Sequence, residues 1–86
     1  MEYRVVIPGP VQKQLDSFPS DIRTRLLKRM LALKENPRPR GCIKLERYEN
    51  EYRIRVGDYR IRYEIQDPES TVLVLHCKHR KDAYRD

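Results

Sequence analysis

At 86 residues, with 37% charged side chains and a net charge of +6, the chain has room for one small core and no second lobe. MEYRVVIPGP carries no apolar leader core and no window reaches the length of a transmembrane helix, so neither a membrane partner nor secretion is expected, and a cytoplasmic location follows by default. The basic balance favours an anionic partner, nucleic acid foremost, over a merely solvated face.

In chain order, residues 2–7 (EYRVVI) read as a strand that Pro8-Gly9-Pro10 stops. Residues 10–18 follow as a short helix, with Val11, Leu15 and Phe18 on one side and Pro10 in its first turn. Ser20 is placed as the N-cap of a second helix of about four turns. Ile22, Leu26, Met30 and Leu33 recur there at helical spacing, and Asn36-Pro37 ends it. This Leu and Met stripe is core rather than a cofactor box.

After the basic loop Pro37-Arg38-Pro39-Arg40-Gly41 the chain is β. Residues 42–47 form a strand, 51–56 and 59–66 a hairpin, and Thr71–Leu75 a continuous apolar run suited to a central strand covered on both faces. The expected architecture is α+β, in the order β-α-α-β-β-β-β: two N-terminal helices packed on one face of a mostly antiparallel curved sheet, in a single domain spanning 1–86. Cys42 and Cys77 lack metal or disulfide-framework spacing and are expected as free thiols.

The hairpin is the most informative segment. Apolar and basic residues alternate on both sides of Gly57-Asp58, a two-residue turn. Pairing Val56 with Tyr59 sets Arg55 opposite Arg60 and Arg53 opposite Arg62, leaving Tyr52, Ile54, Ile61 and Tyr63 to the core. Directly opposed like charges destabilise a hairpin; a polyanion gives them a purpose. Lys44 and Arg47 from the preceding strand and loop, with Arg38 and Arg40, are expected beside them, as is the tail cluster Lys78, His79, Arg80, Lys81 and Tyr84. Arginine offers a fork of donors matched to phosphate oxygens, and Tyr84 is placed to stack on a base.

No Ser/His/Asp order, phosphate-binding glycine loop or paired-carboxylate motif occurs. His76, Cys77 and His79 have the wrong spacing and too few ligands for a metal. Any phosphodiester chemistry therefore rests on basic side chains. RNA permits that, because its 2′-hydroxyl is a built-in nucleophile that an enzyme can align while arginines meet the developing charge. His79 is suited to proton transfer or is simply solvated, and Glu64 either neutralises its arginine neighbours or serves as a base.

Tyr52–Ile61, with Lys44-Leu45 before it and His79-Arg80-Lys81-Asp82-Ala83-Tyr84-Arg85 after it, resembles the RelE toxins of the RelE/ParE superfamily, and the element order extends the likeness over nearly the whole chain. The resemblance implies a type II toxin that enters the ribosomal A site and cleaves mRNA there, leaving a 2′,3′-cyclic phosphate, with no cofactor or metal. It implies a cognate antitoxin, a toxin–antitoxin hetero-oligomer, and the ribosome with mRNA in its A site as partners. Catalytic roles carry over to Arg53, Arg55, Arg60, Arg80 and Tyr84; His79 is a candidate acid or base, and the basic residues of the same face, Lys44, Arg47, Arg62, Lys78 and Lys81, are expected to bind RNA. The best-studied RelE type has lysines where this chain has Arg53 and Arg55, and arginine does not serve as a base. A ParE-like gyrase inhibitor and a non-catalytic RNA-binding member of the same fold are the alternatives.

Overall fold

The computed structural model describes residues 2–83. Strand β1 (Arg4–Val6) leads to helices α1 (Gly9–Asp16) and α2 (Ser20–Ala32), then to β2 (Ile43–Lys44), β3 (Glu51–Val56), β4 (Tyr59–Gln66) and β5 (Thr71–His79). A 3-10 turn (Asp67–Glu69) joins β4 to β5, and a short helix α3 (Arg80–Ala83) follows β5. The sheet order is β1-β5-β4-β3-β2, antiparallel except for the parallel β1–β5 pair. The α+β arrangement is therefore the expected one.

The core lies between the helices and one face of the sheet. Leu15, Leu26, Met30 and Leu33 meet Ile54, Ile61, Tyr63, Val72 and Val74, all essentially fully buried. The hairpin register is the expected one, Val56 opposite Tyr59 through Tyr52 opposite Tyr63. Gly57 has φ +60°, and Asp58 is not among the positive-φ residues. That combination is a type II′ turn, whose twist matches the strands it joins.

Several boundaries differ from the sequence expectation. Helix α2 stops at Ala32 rather than Asn36. Its end tightens into i→i−3 hydrogen bonds, Leu33 N to Met30 O and Lys34 N to Leu31 O, which leaves the Lys34 carbonyl to accept from Tyr3 N at 2.7 Å. Ser20 is the first helical residue rather than the cap; Pro19 holds that position, and its carbonyl accepts from Arg23 N. Strand β2 keeps two residues of the six expected, because Leu45–Asn50 turns away after Lys44. Strand β5 runs on to His79, and the helices cover one of its faces, leaving Leu73 and Leu75 half-buried on the other. Both cysteines are free, and burial pushes the Cys77 thiol up to about 11.

The sheet end far from the hairpin tip is tied by a polar network. Arg38 donates to Asp67 at 2.9 Å and to the Tyr52 hydroxyl at 3.2 Å, Tyr3 donates to Asp67 at 2.7 Å, and Tyr63 donates to the Pro37 carbonyl at 2.7 Å. Arg38 is thereby fixed to Asp67, away from the hairpin arginines it was expected to join. Hydrogen bonds from Arg38 and then Tyr3 hold the Asp67 carboxyl below the ordinary aspartate range.

Two outcomes test this network. Tyr63→Phe, which leaves a buried carbonyl unpaired, lowers unfolding stability by about 1–3 kcal/mol in urea titrations. Asp67 stabilises while ionised, so its contribution is full above the unfolded carboxylate value near 4 and is lost as pH falls through the lower folded value. At low salt, the melting-temperature gap between wild type and Asp67→Asn closes as pH drops below about 4.

Candidate nucleic-acid interface

Strand pairing sorts the face opposite the helices into rungs. Arg55, Arg60 and Lys78 form the rung nearest the turn, across β3, β4 and β5. Ile43, Arg53, Arg62 and His76 form the next, and Glu51, Glu64 and Leu73 the third. The face thus grades from wholly basic at the hairpin tip to acidic away from it.

A one-residue shift decides which tail residues join this face. Arg62 pairs with His76, but Tyr63 pairs with Val74, so Leu75 is an extra residue on β5. Such a bulge exchanges the faces of everything beyond it. Before it, Val72 and Val74 face the core; after it, Cys77 does, buried opposite Ile61. Lys78 consequently lies on the arginine face, and His79 pairs with Tyr59 on the helix side. The placement of His79 among the arginines is therefore corrected. Its ring sits edge-on to Tyr59 at 5.2 Å, Tyr59 meets Phe18 at 5.0 Å, and His79 Nδ1 accepts from Lys81 N. Here His79 anchors the end of β5 against α1.

Arg80 reaches the tip by another route. Its backbone N donates to the Asp58 carbonyl at 2.7 Å, pinning the start of α3 to the hairpin turn. Arg55, Arg60 and Arg80 then line one pocket of about 80 Å³ with Gly57, Asp58 and Tyr59. Arg60 is buried at 8% exposure, whereas Arg55 and Arg80 are exposed. Among the described residues neither Arg55 nor Arg80 forms an ion pair. Three arginines around a small hollow, one of them shielded from solvent, make a candidate anion site.

The other expected residues are placed differently. Arg53 lies one rung back and is half-buried. Arg62 is engaged: its Nε donates to Glu51 Oε1 at 2.8 Å and its guanidinium stacks on the Tyr48 ring at 4.5 Å. Glu51, not Glu64, is its counter-ion; Glu64 accepts from Gln66 at 2.6 Å. Lys44 pairs with Tyr52, which puts it on the helix-side face instead of among the arginines. Arg47 is in the exposed turn after β2 and Lys81 is exposed on α3, both outside the pocket lining. Tyr84 lies outside the described residues.

Two contributors had no signal in the sequence. Arg25 of α2 reaches the turn from the helix side, where a Cβ on Gly57 would stand 3.2 Å from its Nη2. Tyr48, read as a turn residue, joins Arg62 on the arginine face. Both depend on long-range packing, which periodicity does not encode.

Fold and pocket together describe a small basic α+β protein with three arginines gathered at a hairpin tip. Residues 5–84 match the family model described as ParE toxin of type II toxin-antitoxin system, parDE. The chain belongs to this family, within the RelE/ParE superfamily, and is a toxin of a type II toxin–antitoxin system. It is 36% identical to a chain of the archaeal RelE-RelB complex from Pyrococcus horikoshii OT3, covering 93% of this chain and 97% of that one, with a TM-score of 0.82. For the toxin-antitoxin complex RelBE2 from Mycobacterium tuberculosis the figures are 26%, 92% and 99%, with a TM-score of 0.80. For the RelB-RelE complex from Methanococcus jannaschii they are 27%, 94% and 94%, with a TM-score of 0.73. No curated protein matched the chain. No described helix is long and apolar enough to cross a membrane.

If the pocket holds phosphate, binding to a single-stranded oligonucleotide weakens log-linearly with salt. Arg55→Ala and Arg80→Ala each reduce that slope by about 0.7, the value for one lost phosphate contact. Anisotropy titrations at several salt concentrations measure it, and an unchanged slope in both variants contradicts a phosphate site.

Proposed function

We propose that this toxin is a ribosome-dependent mRNA endonuclease, cleaving in the A site by attack of the message's own 2′-hydroxyl and so arresting translation. The observation that carries the reading is the convergence of Arg55, Arg60 and Arg80 on one pocket at the hairpin tip. In the step, the 2′-oxygen bonds to phosphorus, the bond to the 5′-oxygen breaks, and a 2′,3′-cyclic phosphate and a 5′-hydroxyl result. Charge on the phosphoryl oxygens rises in the transition state, and preorganised guanidiniums meet it without reorganisation. Arg60 and Arg80 take the scissile phosphate; Arg55 and Arg53 grip its neighbours. Lys78, on the Arg60 rung, adds positive potential.

Proton transfer falls to other groups, since arginine keeps its proton. Of the residues lining the pocket, Asp58 alone carries a carboxylate, which is the proton acceptor proposed here. His79 faces the helices, and Glu64 is two rungs away. By the family resemblance Tyr84 orients the base or the 2′-hydroxyl. No metal or cofactor enters the scheme. The regulating partner is a cognate antitoxin, in a hetero-oligomer that covers or distorts the basic face; an acidic segment suits that charge.

The ParE description of the matching family keeps gyrase inhibition as the competing reading. Purified protein added to translating ribosomes separates the two. Mapping of message ends shows A-site cuts, and Arg60→Ala or Arg80→Ala lowers cleavage by about 10²–10³-fold, the cost of removing a transition-state donor, with the thermal melt unchanged. Wild-type cleavage in both variants overturns the site assignment. Intact message together with trapped gyrase on DNA overturns the endonuclease reading.

A further inference from the structure

We propose that Tyr48 is a stacking platform for a nucleobase flanking the phosphate held at the hairpin tip. The proposal rests on the reading of the arginine face as an RNA site and adds to it a second, uncharged subsite.

The mount is built from two strands and a turn. Arg62 sits on β4 one rung back from the pocket. Its guanidinium plane is fixed from below by Glu51 at 2.8 Å, and both side chains are largely enclosed, at 20% and 18% exposure. The Arg62 Cζ lies over the Tyr48 ring, 4.5 Å from the ring centre. Burial pulls the Arg62 pKa down, but Tyr48 and Glu51 more than offset it, so the cation under the ring is secure.

The consequence is chemical. Glu51 cancels the charge of Arg62, and Glu64 and Glu51 oppose each other on the next rung, so the surface over Arg62 and Glu51 attracts a phosphate less than Arg53 and the tip arginines do. It does not disfavour a neutral base. Tyr48 has one ring face on Arg62 and is nonetheless 42% exposed, one of three large apolar side chains so exposed among the described residues. Ile43, another of them at 48%, occupies the same rung as Arg53 and Arg62. An exposed phenol and an exposed isoleucine beside a basic pocket give a strand of RNA what it needs: charge for the phosphate, and a flat apolar surface for the adjoining base. A nucleobase stacked on Tyr48 extends the Arg62–Tyr48 stack by one layer. Every base has a π-face, so the platform supplies affinity and register rather than base identity.

The sharpest test is a single-stranded RNA oligonucleotide carrying 2-aminopurine, titrated against wild type, Tyr48→Ala and Tyr48→Phe. Stacking of about 1–3 kcal/mol per base corresponds to roughly 5- to 150-fold in affinity. Wild type and Tyr48→Phe quench the fluorophore when it occupies one position of the strand. Tyr48→Ala loses that quench and binds at least about 5-fold more weakly, while its salt slope stays that of wild type because no phosphate contact is lost. Equal quench and affinity in wild type and Tyr48→Ala overturn the proposal. So does an affinity loss that tracks a lowered melting temperature without loss of quench, which marks a role confined to covering the Arg62–Glu51 pair. Ribosome cleavage assays report separately on the endonuclease reading: a protein that stacks the base but never cuts refutes that reading and leaves the platform standing.

Discussion

The structure depends on the register of one hairpin. Gly57 enters its turn at φ +60°, a conformation that glycine adopts without the penalty other residues incur. That turn fixes Val56 against Tyr59, and every side chain of β3 and β4 follows from it. Because the strand period is two, a slip of one residue would drive Arg53, Arg55, Arg60 and Arg62 into the core and expose Tyr52, Ile54, Ile61 and Tyr63. The cost of burying four charges makes the register unambiguous. The pattern that secures the fold is therefore also the pattern that concentrates cations on one surface.

The bulge at Leu75 is the second constraint, and it divides β5 into two halves of opposite facing. Up to Val74 the strand supplies core residues, with Val72 and Val74 at no exposure. Beyond the bulge it presents Lys78 to the arginine face and His79 to Tyr59. The final strand hydrogen bond, Arg80 N to Asp58 O, then delivers Arg80 to the tip. A sheet without the extra residue would turn His79 toward the arginine face and Lys78 toward the helices.

Charge on this face is graded, and the grading separates stability from function. Where Arg62 meets Arg53, Glu51 relieves the repulsion and Tyr48 covers the pair. At the tip, Arg55 and Arg80 have no carboxylate partner among the described residues. Like charges left opposed weaken a sheet, and the fold tolerates them because the opposite face is continuously apolar and the far end is tied by Arg38, Asp67, Tyr3 and Tyr63. An anion bound there, as the proposed function requires, would relieve that repulsion.

Local pattern alone determined much of this protein. Alternation about Gly57-Asp58 defined β3 and β4 to the residue, the 3.6-residue stripe defined α2, and opposed arginines marked the face, because each of these is a short-range periodicity set by backbone geometry. Element ends were less legible. Helix α2 yields its last turn to a hydrogen bond from Tyr3, a residue distant in sequence, and β2 is short because of where its chain turns. The tertiary structure decided which cations lie together. It withdrew Arg38 to Asp67, Lys44 to the opposite face and Arg62 to Glu51, and it joined Arg80 to Arg55 and Arg60. Those outcomes depend on pairings across the sheet and on one extra residue in β5, and no spacing along the chain records either.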